Sequence, residues 1–411
     1  MRKSKKIVFC ICLFIMVAIF GIINNIVDTE DGEMPTFIEH TGTDSYADKN
    51  ENDKENNPKE NDTKDDDEIL IGDILEQKNI DEILNQMTIE EKVGQLFFIK
   101  NDGRFDESIL AEYPVGGIIL FAGDFISETP ESLTDKIQRF QDKSAYPLLI
   151  GTDEEGGSVV RISKFSALAD KQFLSPRSLY ASGGYDSIER DTHDKSKLLS
   201  SYGINVNFAP VCDVSNDYND FIYYRSFGRN AEETATYVTI VVTAMNEENM
   251  GSVLKHFPGY GNNGDTHKNI IFDKRDYKQF ENVDFVPFKA GIAAGGDCIL
   301  VSHNIVECID NTMPASLSNE MNRIIREELD FNGVIITDDL MMDGVSNFVS
   351  DEESAVMAIL AGNDMVLSTD FQIQYNSVLQ AVNDGRITEE RLDESIERIL
   401  RWKKKLGLIE F

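Results

Sequence analysis

The run Lys255-His256-Phe257-Pro258-Gly259-Tyr260-Gly261-Asn262-Asn263-Gly264-Asp265-Thr266-His267 gathers four side chains able to move a proton, Lys255, His256, Asp265 and His267. The chain has only 5 histidines, and two of them fall inside this stretch. Asp265-Thr266-His267 sets a carboxylate beside an imidazole. A carboxylate there can orient the ring and raise its pKa by stabilising the imidazolium. An imidazole with an unperturbed pKa of about 6.5 is already suited to general acid–base work near neutrality. Lys255-His256 falls at the end of a predicted strand. Polar groups at a strand end, followed by a glycine-rich loop, are a common way for α/β enzymes to build a site.

Three more predicted strand ends carry chemistry. One reads Thr152-Asp153-Glu154-Glu155-Gly156-Gly157, with Arg161 just beyond; the others read Ser302-His303 and Thr337-Asp338-Asp339. A carboxylate on a strand end can attack an anomeric carbon while a second group protonates the leaving oxygen. Asp338 and His267 could form that pair, with Asp265 orienting His267. Glu154 and Glu155, flanked by two glycines, read as a packed turn rather than a catalytic pair. Asp339 reads as a supporting hydrogen-bond residue, His303 as a lining of the mouth, and Trp402 as helix packing. No metal-ligand spacing is present, and no phosphate or dinucleotide loop, so neither metal nor cofactor is expected.

Several elements must hold these groups. Strand-like runs are predicted at 95–99, 117–121, 148–153, 206–211, 252–255, 299–302, 334–337 and 365–368. Several are unbroken apolar runs, as parallel strands covered on both faces require. Amphipathic stretches of helical length separate many of them. The pattern predicts an α/β fold, a (β/α)8 TIM-like barrel, whose active sites sit at the C-terminal strand ends. Thr88-Ile89-Glu90-Glu91 reads as a capping box. Thr388 starts a final helix that ends in Lys403–Lys405 and stops at Gly407.

Bulk properties exclude some functions. The 411 residues include 39 basic and 73 acidic side chains, a net charge of −34. Nucleic-acid binding needs the opposite sign, so no nucleic-acid partner is expected. The 5 cysteines lack metal or disulfide spacing, and Cys212, Cys298 and Cys308 read as buried thiols.

The N-terminus carries Arg2, Lys3, Lys5 and Lys6, then a 17-residue apolar run from Ile7 to Ile23. That predicts a signal anchor over 1–27, with the basic end inside and the rest of the chain outside the cytoplasmic membrane. A cleaved secretory signal is the alternative. Residues 28–69 form an acidic linker; 28–68 hold 16 acidic and 4 basic side chains, too polar to bury a core. The predicted catalytic barrel spans 70–411.

From about residue 80 onward the chain resembles the glycoside hydrolase family 3 β-N-acetylhexosaminidases of the single-domain bacterial type. The resemblance rests on seven motifs in order: MTIEEKVGQL (87–96), TDEEGGSVVR (152–161), NFAPVCDV (207–214), RSFG (225–228), KHFPGYG (255–261), DTH (265–267) and GVIITDDLMM (333–342). It implies a retaining exo-β-N-acetylglucosaminidase that releases terminal N-acetylglucosamine, with cell-wall fragments as the expected substrate. Asp338 matches the nucleophile, His267 the acid/base, and Asp265 its partner. Asp153, Arg161, Arg225, Lys255 and His256 match the residues that hold the sugar.

The chain departs from many relatives in placing Tyr260 where a second histidine follows Pro-Gly, and in a loop one residue shorter. It stops after the barrel, which fits the histidine-based subgroup. A β-glucosidase or β-xylosidase of the same family is the alternative enzyme, and phosphorolysis an alternative to hydrolysis. A membrane-tethered sugar-binding protein without catalysis is the alternative from another class.

Overall fold

The computed structural model describes residues 63–101, 106–266 and 269–410, with 63–73 in backbone only. The expected anchor and nearly all of the expected linker lie outside these residues. Among the described residues no helix is long and apolar enough to cross a membrane.

The first helix, Thr63–Gln86, begins seven residues inside the segment expected to be unstructured. The next helix, Ile89–Gln95, carries the full capping box. Thr88 Oγ1 accepts the Glu91 N–H at 3.2 Å, and the Glu91 carboxylate accepts the Thr88 N–H at 3.0 Å.

Among the described residues ten strands follow, and eight form one parallel sheet: β1 Phe97–Asn101, β2 Gly117–Leu120, β3 Leu149–Thr152, β4 Val206–Asn207, β5 Gly251–Phe257, β7 Cys298–Val301, β9 Val334–Thr337 and β10 Val366–Ser368. The sheet order is β10-β1-β2-β3-β4-β5-β7-β9. A parallel bridge between Ile336 and Met365 brings β9 back to the start of β10, so the sheet curls into a barrel. Two short strands, β6 Phe272–Asp273 and β8 Ile305–Val306, pair beside it. Every residue of β2, β3, β5, β7, β9 and β10 is buried, because parallel strands inside a ring of helices meet no solvent.

The strand positions correct the sequence reading in two places. The first strand was expected at 95–99 but starts at Phe97, because Gln95 still closes the capped helix. The fourth was expected at 206–211, but its continuous ladder covers only Val206–Asn207, with a further single parallel bridge from Val211 to Lys255. Beyond it, Pro210 has no N–H to give to a ladder.

The last helix, Glu389–Lys405, starts from Thr388, whose hydroxyl accepts the Arg391 N–H. It buries Leu392, Ile396, Ile399, Leu400 and Trp402, so Trp402 is packing. Lys403 on this helix is wholly buried and donates to Gln95 Oε1 at 2.6 Å.

Candidate active site

The C-terminal strand ends enclose a cavity of about 240 Å³. All eight barrel strands reach it: Lys100 from β1, Phe121 just past β2, Asp153 past β3, Phe208 past β4, Lys255 and His256 from β5, Leu300 from β7, Asp338 past β9 and Leu367 from β10. Arg161, Arg225 and Asp339 complete its polar wall. A wider surface cleft of about 490 Å³, lined by Lys171, Arg190, His193 and Glu248, lies away from the strand ends. Its ionic groups already satisfy one another, since His193 and Lys197 both meet Glu248.

Lys255 and His256 lie inside β5, which runs on to Phe257, rather than at the strand's end. Lys255 Nζ donates to Asp153 Oδ1 at 2.8 Å and stands 2.6 Å from Glu155 Oε1. Arg161 Nη2 donates to Asp153 Oδ2 at 3.1 Å. Arg225 grips Glu155 through two bonds, Nε to Oε2 at 3.0 Å and Nη2 to Oε1 at 2.7 Å. Two carboxylates and three cations thus form one network on one wall. Burial alone would raise the Asp153 carboxyl, but Lys255 and Arg161 overrule it and hold it below the usual range. Glu155 is likewise driven down against its burial, by Arg225 and then Lys255.

A second network sits behind His256. Its Nδ1 lies 2.8 Å from Asp213 Oδ2, which also accepts the His256 backbone N–H at 3.1 Å. The other oxygen, Asp213 Oδ1, accepts the Tyr260 N–H at 2.8 Å. Burial, followed by the Arg225 charge, pushes the His256 imidazole below its ordinary pKa.

Asp338 stands across the cavity from these groups, just beyond β9. Its backbone N–H donates to Val301 O at 2.9 Å, and its Oδ1 accepts the Asp339 N–H at 2.9 Å. Both bonds fix the carboxylate relative to the strand end. Lys100 Nζ approaches Asp339 Oδ2 at 3.9 Å and lies 4.8 Å from the centre of the Phe121 ring. Arg161 approaches that same ring at 5.2 Å.

Of the residues singled out by sequence, Asp153, Arg161, Arg225, Lys255, His256 and Asp338 therefore share one cavity. Asp265 is half-buried in the loop after β5 and is not among the cavity's lining residues. His267 lies outside the described residues. His303 does not line the mouth as expected. It is wholly buried, its Nε2 donating to Asp339 O at 3.0 Å and its Nδ1 bonded to Ser316 Oγ at 2.8 Å. Cys308 is exposed rather than buried, while Cys212 and Cys298 are buried.

Glu154 packs the turn: its carboxylate accepts the Arg161 and Ile162 N–H groups at 2.8 and 2.9 Å. Gly156 turns the chain here at φ +101°, and a Cβ on it would sit 2.1 Å from Leu174 O. Sequence reasoning placed Glu155 with Glu154 in a packed turn and gave no role to Asp213 or Lys100. The signal for Asp213 is its place in an unbroken apolar segment, where a lone carboxylate needs a buried partner.

The family pattern described as "Glycosyl hydrolase family 3 N terminal domain" matches residues 88–402. A Beta-hexosaminidase from Idiomarina loihiensis is 35% identical over 312 residues, covering 74% of this chain and 91% of that protein. Beta-hexosaminidase A from Pseudoalteromonas piscicida is 31% identical over 327 residues, covering 72% of this chain and 54% of its own length. The solved structure of a glycoside hydrolase family 3 beta-N-acetylglucosaminidase from Paenibacillus sp. superposes with a TM-score of 0.73 at 30% identity. It covers 78% of this chain and 63% of the Paenibacillus chain. This chain thus spans about half to two thirds of two of these relatives and nearly all of the third. With a barrel of this construction, a cavity at its C-terminal strand ends and a family match over residues 88–402, the chain belongs to glycosyl hydrolase family 3.

Proposed function

We propose that this protein is a retaining exo-β-N-acetylglucosaminidase acting on terminal β-linked N-acetylglucosamine, with peptidoglycan fragments as its source. The observation that carries the reading is Asp338. It lines one cavity of about 240 Å³ together with Asp153, Arg161, Arg225, Lys255 and His256. That volume lies below the ~300 Å³ at which pockets for drug-sized ligands begin. It suits one terminal sugar better than the interior of a glycan. The names of the hexosaminidase relatives support the acetamido sugar.

In the mechanism, Asp153, Lys255, His256 and the two arginines bind sugar hydroxyls and set the ring over Asp338. The Asp338 carboxylate attacks the anomeric carbon as the glycosidic C–O bond breaks, and His267 gives its proton to the leaving oxygen. A glycosyl ester on Asp338 results. His267, now neutral, takes a proton from water, whose oxygen attacks the same carbon and releases Asp338. Asp265 stabilises the imidazolium form of His267. The basic-then-apolar N-terminal segment supports attachment to the membrane, with the barrel on its outer side.

The test is a panel of nitrophenyl glycosides given to the protein and to Asp338→Ala. The expected result is turnover of the N-acetylglucosaminide above the glucoside and xyloside, with at least about a thousandfold loss in the variant. Faster turnover of the glucoside would move the protein to the family's β-glucosidases. Sugar binding with equal inactivity of both proteins would make it a binding protein.

A further inference from the structure

Tyr260 is a buried tyrosine, 1% exposed, in the turn that leaves β5. Its ring packs edge-on against His256, with centroids 5.3 Å apart, and against Phe221 at 5.4 Å. Its N–H is held by Asp213. Its hydroxyl reaches six residues along the loop and bonds Thr266 Oγ1 at 2.8 Å. Thr266 is wholly buried and stands between Asp265 and His267 in sequence. On its other side, Thr266 O accepts the Gly344 N–H at 3.1 Å. Gly344 lies in the short helix Asp343–Ser346 that follows Asp338 and Asp339, and a Cβ there would lie 3.0 Å from His303 Cβ and 3.2 Å from Thr266 O. Burial, and then the Asp338 charge, drive the Tyr260 phenol far above its ordinary pKa, so it stays a protonated hydroxyl.

Thr266 is therefore pinned from two directions, by Tyr260 from the β5 side and by Gly344 from the Asp338 side. Resting on the glycosidase reading above, we propose that Tyr260 is a positioning residue. Its hydroxyl, through Thr266, holds the end of the loop that carries Asp265 in the register that proton transfer to the leaving oxygen requires. The loop between residues 260 and 266 is rich in glycine and asparagine and has little stiffness of its own, so a cross-loop bond is what fixes its far end.

Tyr260→Phe keeps the ring and its packing while removing only the hydroxyl. With an alkyl N-acetylglucosaminide, whose leaving oxygen needs a proton, kcat should fall about tenfold more than with the nitrophenyl substrate, which needs little help. KM should hardly move. Thr266→Val should reproduce the split, and the double variant should be no worse than either single one. Equal losses on both substrates, or fully additive losses, would overturn the proposal.

Amide hydrogen exchange gives a readout independent of turnover. Peptides covering 259–266 should exchange faster in Tyr260→Phe while barrel strands are unchanged, and unaltered loop exchange would also overturn the proposal. A wild-type protein inert toward every glycoside would remove the functional reading instead, and the exchange comparison would then decide the clamp by itself.

Discussion

Arg225 aims its Nη2 at His256 Nε2 across 2.9 Å. A guanidinium can only donate, so Nε2 accepts and the ring proton sits on Nδ1, facing Asp213. His256 is thereby fixed as a neutral imidazole, and burial with the Arg225 charge lowers its pKa. The proton it refuses when folded is accepted in the unfolded chain below about pH 6.5. Between the folded pKa and that value, the unfolded state binds more protons, so stability rises with pH and falls on acidification. Ring-nitrogen NMR should show the Nδ1–H tautomer still neutral at pH 6. Protonation of His256 with an ordinary pKa would contradict this geometry.

Lys255 should matter to the fold before it matters to the sugar. It is 2% exposed and holds two carboxylates, Asp153 and Glu155. Lys255→Met would leave that acidic pair one cation short inside the barrel. Removing one partner of a buried ion pair costs about 3 kcal/mol or more. Denaturant unfolding should show a loss of that size, together with a raised KM. A raised KM at unchanged stability would mean that Arg161 and Arg225 neutralise the pair without it.

His267 is expected to act only where a proton is needed. His267→Ala should lower kcat by about a hundredfold or more on alkyl N-acetylglucosaminides and much less on nitrophenyl ones. Added azide should accelerate the second step by replacing activated water. Comparable losses on both substrates, with no effect of azide, would point to another proton donor.

Lys403 predicts a pH effect far from the sugar site. Burial lowers its pKa to about 7, against roughly 10.4 in an unfolded chain. Between those values the unfolded state holds the extra proton, so stability should climb as pH rises from about 7 to 10. Lys403→Met should remove that slope and add on the order of 2 kcal/mol at neutral pH. Melting curves across this range test it, and a flat profile for the unaltered protein would refute the assignment.

The sequence exposes most of what repetition and local chemistry determine. Residues 334–336 and Cys298–Val301 are apolar without interruption, as covered parallel strands require. Thr88 and Thr388 mark helix starts through bonds made within three residues. Gln95 misleads because its neighbours Leu96 and Phe97 continue an apolar run through a helix end.

The site divides along the same line. Asp153 and Asp338 announce themselves by their place after strands. Glu155 and Asp213 do not, because their partners lie 70 and 43 residues away along the chain. Glu155 in particular stands before two glycines, where the reading is a packed turn; it is 5% exposed, and nothing local shows that it joins Lys255 to Arg225.

Asp213 has a consequence beyond its own bonds. One of its oxygens fixes His256 and the other fixes the start of the loop that leads to Asp265 and Thr266. Under the proposed function, affinity for the sugar and delivery of the proton would both be referenced to this one carboxylate, which is 1% exposed. Selection cannot tune the two traits separately through this residue: any substitution there is pleiotropic. Under the same reading, divergence in substrate preference would enter through Lys100, Phe121 and Met342, which line the cavity and make no hydrogen bond to Asp213.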